Sequence, residues 1–377
     1  MYDIIATSAF GVESVTAREL KNLGYEDVRV FSGGAEFKGS AIDIARANIW
    51  LRTADRVLLK LTEFRADTFE QLFEGVRTVP WTDILPEDAF VHVTGSCVRS
   101  VLHSVPACQA IAKKAILEKL KEKYAREVFS EAGAEYRINI SLLKDIVTVT
   151  LDTSGRGLHK RGYRRLAGAA PLKETLACAM LLLSYWKDGR TLVDPFCGSG
   201  TIPIEAAMIA SNRAPGMKRG FAAENWGFID SAVWPEARRE AADKFDENAY
   251  TDICGSDIDS SALQLAALHA EDAGVDAMVR FSCRDFKTLR SDKQYGFIIT
   301  NPPYGQRLDS SAEMYREMGR VFSKLDTWSY YVICDSPDFE KLFGRKADKR
   351  RKLYNGGIEC QYYQFFGPKP PKSRDGN

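Results

Sequence analysis

No stretch of the chain approaches the ~20 consecutive apolar residues that a membrane span needs; the longest candidate, Leu176 to Trp186, is too short. The N-terminus, MYDIIATSAFGVES, has neither a basic n-region nor an apolar h-region, so a secretory signal is not expected. Histidine is scarce, at 4 residues, and the 8 cysteines stand apart with no CxxC pair. That argues against a zinc site or a disulfide framework and for reduced thiols in the cytoplasm. Excess charge is missing too: 52 Lys and Arg against 51 Asp and Glu leave +1. No internal repeat is present. With 45% hydrophobic and 27% charged residues, the chain is neither wholly disordered nor a coiled coil. At about 100–200 residues per domain, its 377 residues suggest two or three domains.

The near-neutral total hides an uneven distribution. Residues 90–165 carry 14 Lys and Arg against 7 Asp and Glu, and residues 341–377 carry 10 against 3, a net of +7 in each block. The remaining blocks are acidic, −5 over 1–89 and −8 over 166–340. Two localised basic blocks fit a polyanion partner, or else solvated charged faces.

Up to residue 165, short alternating stretches mix with amphipathic ones. Strands are expected at 2–6, 28–31, 57–64 and 89–94, with a hairpin over 136–152 turning at Leu143–Lys144. Helices are expected at 11–23, 42–51, 68–77 and 106–124, the last with a lysine-rich face that includes Lys113 and Lys114. This is an α+β region of two small units divided near residue 55. Residues 153–170 are rich in glycine and in Arg156, Lys160, Arg161, Arg164 and Arg165, and read as a linker or an exposed basic loop. From Pro171 helices alternate with apolar strands at 191–195, 253–258, 278–283, 296–300 and 329–334, the grammar of a parallel sheet. A hairpin around Asn355–Gly356–Gly357 closes the pattern.

Three motifs sit on this frame. Asp194-Pro195-Phe196-Cys197-Gly198-Ser199-Gly200-Thr201 joins the first parallel strand directly to a helix. The glycines allow a tight turn and close approach of a ligand, and the helix start offers free N–H groups. There is no GK[ST] and no GxGxxG, and an acid opening the loop repels phosphate but suits a cationic centre. Asn301-Pro302-Pro303-Tyr304 follows the fourth strand, where two prolines force the chain out of the sheet. An amide, a proline carbonyl and an aromatic ring there suit a planar base with an exocyclic amino group. Asp257 and Asp285 end the second and third strands; each is either a ligand acceptor or a helix cap.

Together with Gly255-Ser256-Asp257-Ile258-Asp259, these motifs resemble those of the S-adenosylmethionine (SAM) dependent amino-methyltransferases. The longer strings APLKET (170–175) and DPFCGSGTIPIEAA (194–207) are similar to the RNA methylases that carry an N-terminal THUMP domain, and among them to the bacterial 23S rRNA (guanine-N2) methyltransferase L family. The resemblance implies an α/β fold: a C-terminal class I (Rossmann-like) methyltransferase sheet of seven strands after an N-terminal α+β region. The implied organisation is a ferredoxin-like unit at 1–55, THUMP at 56–155, a basic linker at 156–170, the methyltransferase domain at 171–367 and a disordered tail at 368–377. The long insertion over 212–252 departs from the pattern.

By the same resemblance, residues 194–201 cradle the methionine part of SAM, Asp257 holds the ribose hydroxyls, Asp285 and Phe286 flank the adenine, and Thr175 completes the pocket. Asn301 and Pro302 present acceptors to the target amine, and Tyr304 stacks on the base. No metal is needed, because the sulfonium methyl is already electrophilic. The partner implied is RNA, 23S rRNA or a ribosome assembly intermediate, gripped through phosphates by Lys113, Lys114, Arg156, Lys160, Arg161, Arg164 and Arg165. The arginines have a second reading, as partners of acids in the −8 segment. Competing functions are transfer to adenine N6 or cytosine N4, or to a tRNA guanine, and, in another class, an RNA-binding factor without catalysis; methyl transfer to RNA separates them.

Overall fold

The computed structural model describes residues 1–164, 172–303 and 308–371; Arg165, Tyr304 and residues 372–377 of the expected tail lie outside the described residues. Two compact units are present. The first comprises Met1–Ser8, Thr16–Leu158 and Arg219–Ala241, and the second Ala9–Val15, His159–Lys218 and Ala242–Asn377. The stretch 171–367 is therefore not one continuous body: part of the insertion returns to the first unit. Among the described residues no helix is long and apolar enough to cross a membrane.

Before residue 159 the chain forms β1 (Tyr2–Ser8), α1 (Glu13–Asn22), β2 (Arg29–Phe31), β3 (Gly34–Gly39), α2 (Ala41–Trp50), β4 (Ala54–Arg65), α3 (Phe69–Arg77), α4 (Trp81–Ile84), β5 (Phe90–Val98), α5 (Val105–Tyr124), β6 (Glu135–Leu143) and β7 (Ile146–Asp152). Local chemistry sets the helix starts. Ser40 N–H donates to Asp43 Oδ2 at 2.8 Å, and Thr68 Oγ1 accepts from Gln71 N–H at 3.2 Å. Pro106 sits in the first turn of α5, where no N–H is missed.

These seven strands make one sheet in the order β2-β3-β1-β4-β7-β6-β5. The long β4 is its joint: Leu59 lies opposite Ile4 of β1, and Phe64 opposite Val147 of β7. A division near residue 55 thus falls inside a strand, and the two expected small units share a sheet. Strand β3 has no counterpart in the sequence reading, because GAEFKG combines end glycines with two charges and reads as a loop. The glycine at its start is required: a Cβ on Gly34 would lie 2.4 Å from the Ala6 carbonyl oxygen.

From residue 159 onward follow α6 (Glu174–Leu183), β8 (Leu192–Asp194), α7 (Thr201–Ala210), α8 (Val233–Asp243), β9 (Ile253–Asp257), α9 (Ser260–Ala273), β10 (Val279–Cys283), β11 (Phe297–Thr300), α10 (Leu308–Phe322), β12 (Ser329–Cys334), α11 (Phe339–Phe343), β13 (Lys349–Asn355) and β14 (Ile358–Phe365). Most of α8 belongs to the first unit. The strands order as β10-β9-β8-β11-β12-β14-β13, parallel except for the final hairpin. This is the seven-stranded sheet that the resemblance implies. Apolar cores cover both faces. Met180, Ile204 and Ala270 pack with Ile299 on one, and Tyr315, Met318 and Phe322 with Ile298 on the other. That is why β11 (FIIT) is buried at every position. The chain steps outward from β8 to β10 and then crosses back to β11. Between β8 and β11 the crossovers diverge, which opens a crevice at the carboxyl ends of the strands.

Candidate active site

The ends of β8, β9, β10 and β11 deliver the motif residues to that crevice. Asp194 closes β8, and Pro195 releases the chain into a loop that reaches α7. Gly198 and Gly200 hold the left-handed backbone that the turn demands, at φ +50° and +82°. A Cβ on Gly200 would meet Ala266 and Phe281 at 3.0 Å, whereas one on Gly198 would meet nothing within 4 Å. Gly200 is therefore small for packing, and Gly198 leaves an open surface. Asp257, ending β9, ties the loop down: its Oδ2 accepts from Gly198 N–H at 2.8 Å, and its Oδ1 from Asp259 N–H at 3.0 Å. Asp285, beyond β10, accepts from Lys287 N–H at 2.9 Å, which leaves its other oxygen unused by the cap. The Phe196 and Phe286 rings lie 4.7 Å apart.

Around these groups lies a cleft of about 830 Å³. Among the described residues its lining has six carboxylates (Asp194, Asp257, Asp259, Asp285, Glu313 and Glu317) and a single ammonium, Lys287. Such a wall repels nucleotide phosphates and favours a cationic guest. Asp194 is buried, and its Oδ1 accepts from Thr300 Oγ1 at 2.6 Å and from Phe196 N–H at 3.2 Å. Burial pushes its carboxyl up to about 7, against the pull of these hydrogen bonds and with the Asp257 charge adding to the rise. Burial likewise raises the Cys197 thiol well above its usual range, so it is no nucleophile.

At the end of β11 the Oδ1 of Asn301 is buried and has no hydrogen-bond partner among the described residues. An orphaned acceptor at the rim of a cleft is costly unless a donor arrives. Asn301 and Pro303 line the cleft. Pro302 is buried beside them and Thr175 lies in the buried first turn of α6; neither is among the lining residues.

The basic candidates go to different places. Arg161 is 3% exposed, with its Nε 3.5 Å from Glu205 Oε1, and Tyr163 donates to the same oxygen at 3.0 Å. Arg164 pairs with Glu174 at 3.4 Å and donates to Thr201 Oγ1 at the start of α7. Both were candidate phosphate contacts, and the structure corrects that: burial and carboxylate partners take them out of reach of RNA. Arg156 and Lys160 are exposed. On α5, Lys113 pairs with Glu131 at 2.8 Å, while Lys114 is exposed.

Two parts of the cleft had no role assigned from the sequence. Ile258 is 73% exposed directly after Asp257. An isoleucine kept in the open between two aspartates is itself the signal. Glu313, Met314 and Glu317 present one face of α10 to the cleft. Their helical spacing was readable, but not the direction in which that face looks.

A parallel sheet with this strand order, a glycine loop tied to the neighbouring strand end and an acid-lined crevice define a Rossmann-like SAM-dependent methyltransferase. Residues 161–364 match the family model for an RMKL-like methyltransferase domain, and the chain belongs to that family. Residues 3–58 match an RlmL ferredoxin-like domain and 66–152 a THUMP domain. The chain is 46% identical to "Putative RNA methyltransferase YpsC" of Bacillus subtilis (strain 168), over 99% of this chain and 98% of that protein. It is 45% identical to a Listeria monocytogenes str. 4b F2365 protein described as a "predicted N6-adenine-specific DNA methylase", with TM-score 0.92 over 97% of this chain and 96% of that one. It is 43% identical to "SMU.472, a putative methyltransferase complexed with SAH", with TM-score 0.91 over 98% and 99% of the two chains.

Proposed function

We propose that the protein transfers a methyl group from SAM to the exocyclic N2 of a guanine in large-subunit (23S) rRNA. The observation that carries this reading is the acceptor Asn301 Oδ1 at the end of β11, buried and without a partner among the described residues. A guanine amino nitrogen is a poor nucleophile because its lone pair is delocalised into the ring. Asn301 Oδ1 and the Pro302 carbonyl, each accepting one amino hydrogen, turn that lone pair out of conjugation and towards the methyl. SAM supplies an electrophilic methyl on a positively charged sulfur. Asp257 offers acceptors to the ribose hydroxyls, Asp285 and Phe286 border the adenine, and the open face of Gly198 admits the methionine part. The gain comes from positioning and from dipoles already aligned before the reaction. The target base must first leave its stack. RNA as substrate is supported by the THUMP match and by the likeness to the Bacillus relative, described as a "Putative RNA methyltransferase".

The same acceptor pair suits any exocyclic amine, so adenine N6, or a guanine in tRNA, is the second reading. The description of the Listeria relative favours adenine. Transfer of labelled methyl to total RNA from a strain lacking the gene, followed by nucleoside analysis, decides. N2-methylguanosine confined to large-subunit RNA is expected; N6-methyladenosine, or label in tRNA, would overturn the first reading.

A further inference from the structure

The basic groups expected to hold RNA are largely spoken for. Arg161 is buried and Arg164 largely covered, each against a carboxylate. On α5, Lys119 pairs with Glu122 at 2.7 Å, and Lys121 with Glu118 and Glu127 at 3.3 and 2.8 Å. The first unit offers another surface. Helix α5 packs on the face of its sheet where Tyr136, Ile138, Ile140 and Leu142 are buried. The opposite face of β5 and β6 is open and polar. Side-chain contacts run across it: His92 Nδ1 lies 3.0 Å from Glu135 Oε1, diagonal to it, while in direct register Thr94 Oγ1 donates to Asn139 Oδ1 at 3.4 Å and the Ser96 and Ser141 hydroxyls are 3.3 Å apart.

On this open face stands an exposed aromatic. Phe90, 39% exposed, lies nearly parallel to the His92 ring, with centroids 6.2 Å apart. Beside this pair is a cleft of about 710 Å³ lined by Arg137 and Arg156, and by Arg56, whose charge is taken up by the buried Asp152. Of its two glutamates, Glu224 is neutralised by Arg238 at 2.6 Å and Glu135 by Arg137 at 3.1 Å. The Nε–H of Arg137 is buried without a hydrogen-bond partner among the described residues. The result is a flat apolar ring, rows of hydroxyls and amides, and a net positive cleft at one end.

We propose that this open sheet face docks a single-stranded RNA segment, with Phe90 and His92 as a base-stacking platform and Arg137 and Arg156 of the cleft receiving backbone phosphate. The inference rests on the RNA reading of the substrate. Unpaired bases expose both π-faces and their hydrogen-bonding edges, which is what the ring and the hydroxyl rows can use. A duplex hides its π-faces and leaves the platform without a role.

The test is fluorescence anisotropy of the full-length protein with a labelled mixed-sequence 12-nucleotide RNA, single-stranded and as a duplex, at several salt concentrations. The wild type is expected to prefer the single strand. Phe90→Leu, which keeps bulk but lacks a ring, should raise Kd roughly 5- to 100-fold, and Phe90→Tyr should restore it. Arg137→Gln and Arg156→Gln should each flatten the salt dependence by a slope of roughly 0.7. SAM affinity should hold throughout. Wild-type affinity in the Phe90 and arginine variants, with RNA still bound, overturns the surface and leaves the RNA reading standing. Preference for the duplex overturns the single-stranded occupant. Failure of the wild type to bind either RNA overturns the RNA reading itself.

Discussion

Asn301 and Asp194 show how the surroundings of one side chain decide its work. Asn301 holds an unspent acceptor whose value rises as the amine it binds becomes pyramidal, so its contribution falls in the transition state. Asn301→Ala is expected to leave SAM affinity within about twofold while lowering kcat by roughly 10²-fold or more. Calorimetric titration of SAM and single-turnover methylation at saturating RNA check this, and an unchanged kcat would remove Asn301 from the reaction. Asp194 works through its proton. Its carboxyl stands at about 7 in the fold against an ordinary 3.8, so folding favours the protonated form. The stability this brings is complete below about pH 3.8 and is lost as pH rises through 7, an effect of about 4 kcal/mol at most. Asp194→Asn keeps the acceptor for Thr300 and removes the proton. Its stability relative to the wild type should therefore climb between pH 4 and 7 and level off above, as read by denaturant unfolding at each pH. A flat difference would show that Asp194 is ionised throughout.

The glycine loop and the two helices behind it form one element-scale device. Asp257 holds the loop to β9 through Gly198 N–H. On α7, Glu205 is fully buried and gathers Arg161 at 3.5 Å, the Tyr163 hydroxyl at 3.0 Å and the Cys178 thiol, which donates to Oε2 at 2.8 Å. Burial and the adjoining carboxylates raise the Tyr163 hydroxyl well above its usual range, which keeps it a donor. Removing one member of such a set strands the others in a dry interior. Glu205→Gln should cost about 3–5 kcal/mol of unfolding free energy, with no change in the salt dependence of RNA binding. Denaturant unfolding beside an RNA titration measures both, and a flattened salt slope with normal stability would return Arg161 to the RNA interface.

At the scale of the whole molecule, the first unit is assembled from distant stretches of chain. Trp226, from the returning segment, is buried and stacks on Tyr136 at 5.2 Å, and its Nε1–H donates to the Glu135 carbonyl at 3.1 Å. Arg46 pairs with Glu240 at 2.9 Å. A fragment ending at residue 158 loses these contacts although it holds the whole sheet. It should unfold about 3–5 kcal/mol more easily than the complete unit, on the scale of losing a buried tryptophan. A synthetic 219–241 peptide added in trans should recover part of that difference in a urea titration. No response to the peptide would mean that the segment contributes nothing to the stability of this unit.

What the sequence determined by itself was short-range. The glycine loop, the acids at the ends of β9 and β10 and the Asn-Pro-Pro exit from β11 follow from turn sterics and from strands whose ends are marked by a change of residue type. Apolar periodicity placed α9 at Ser260–Ala273 and β12 at Ser329–Cys334, residue for residue. The fates of charges were decided only by tertiary structure. Arg156 and Arg161 stand five positions apart in one basic run, yet one is exposed and the other buried. Nothing local separates them. Arg161 is buried because Glu205, on a later helix, faces it and offsets its desolvation. The same holds for β4, whose pattern marks it as a strand but not as the seam between two halves of a sheet, and for Trp226, whose partner lies on β6. Periodicity and turn chemistry act over a few residues, whereas burial and pairing depend on whatever the fold brings opposite.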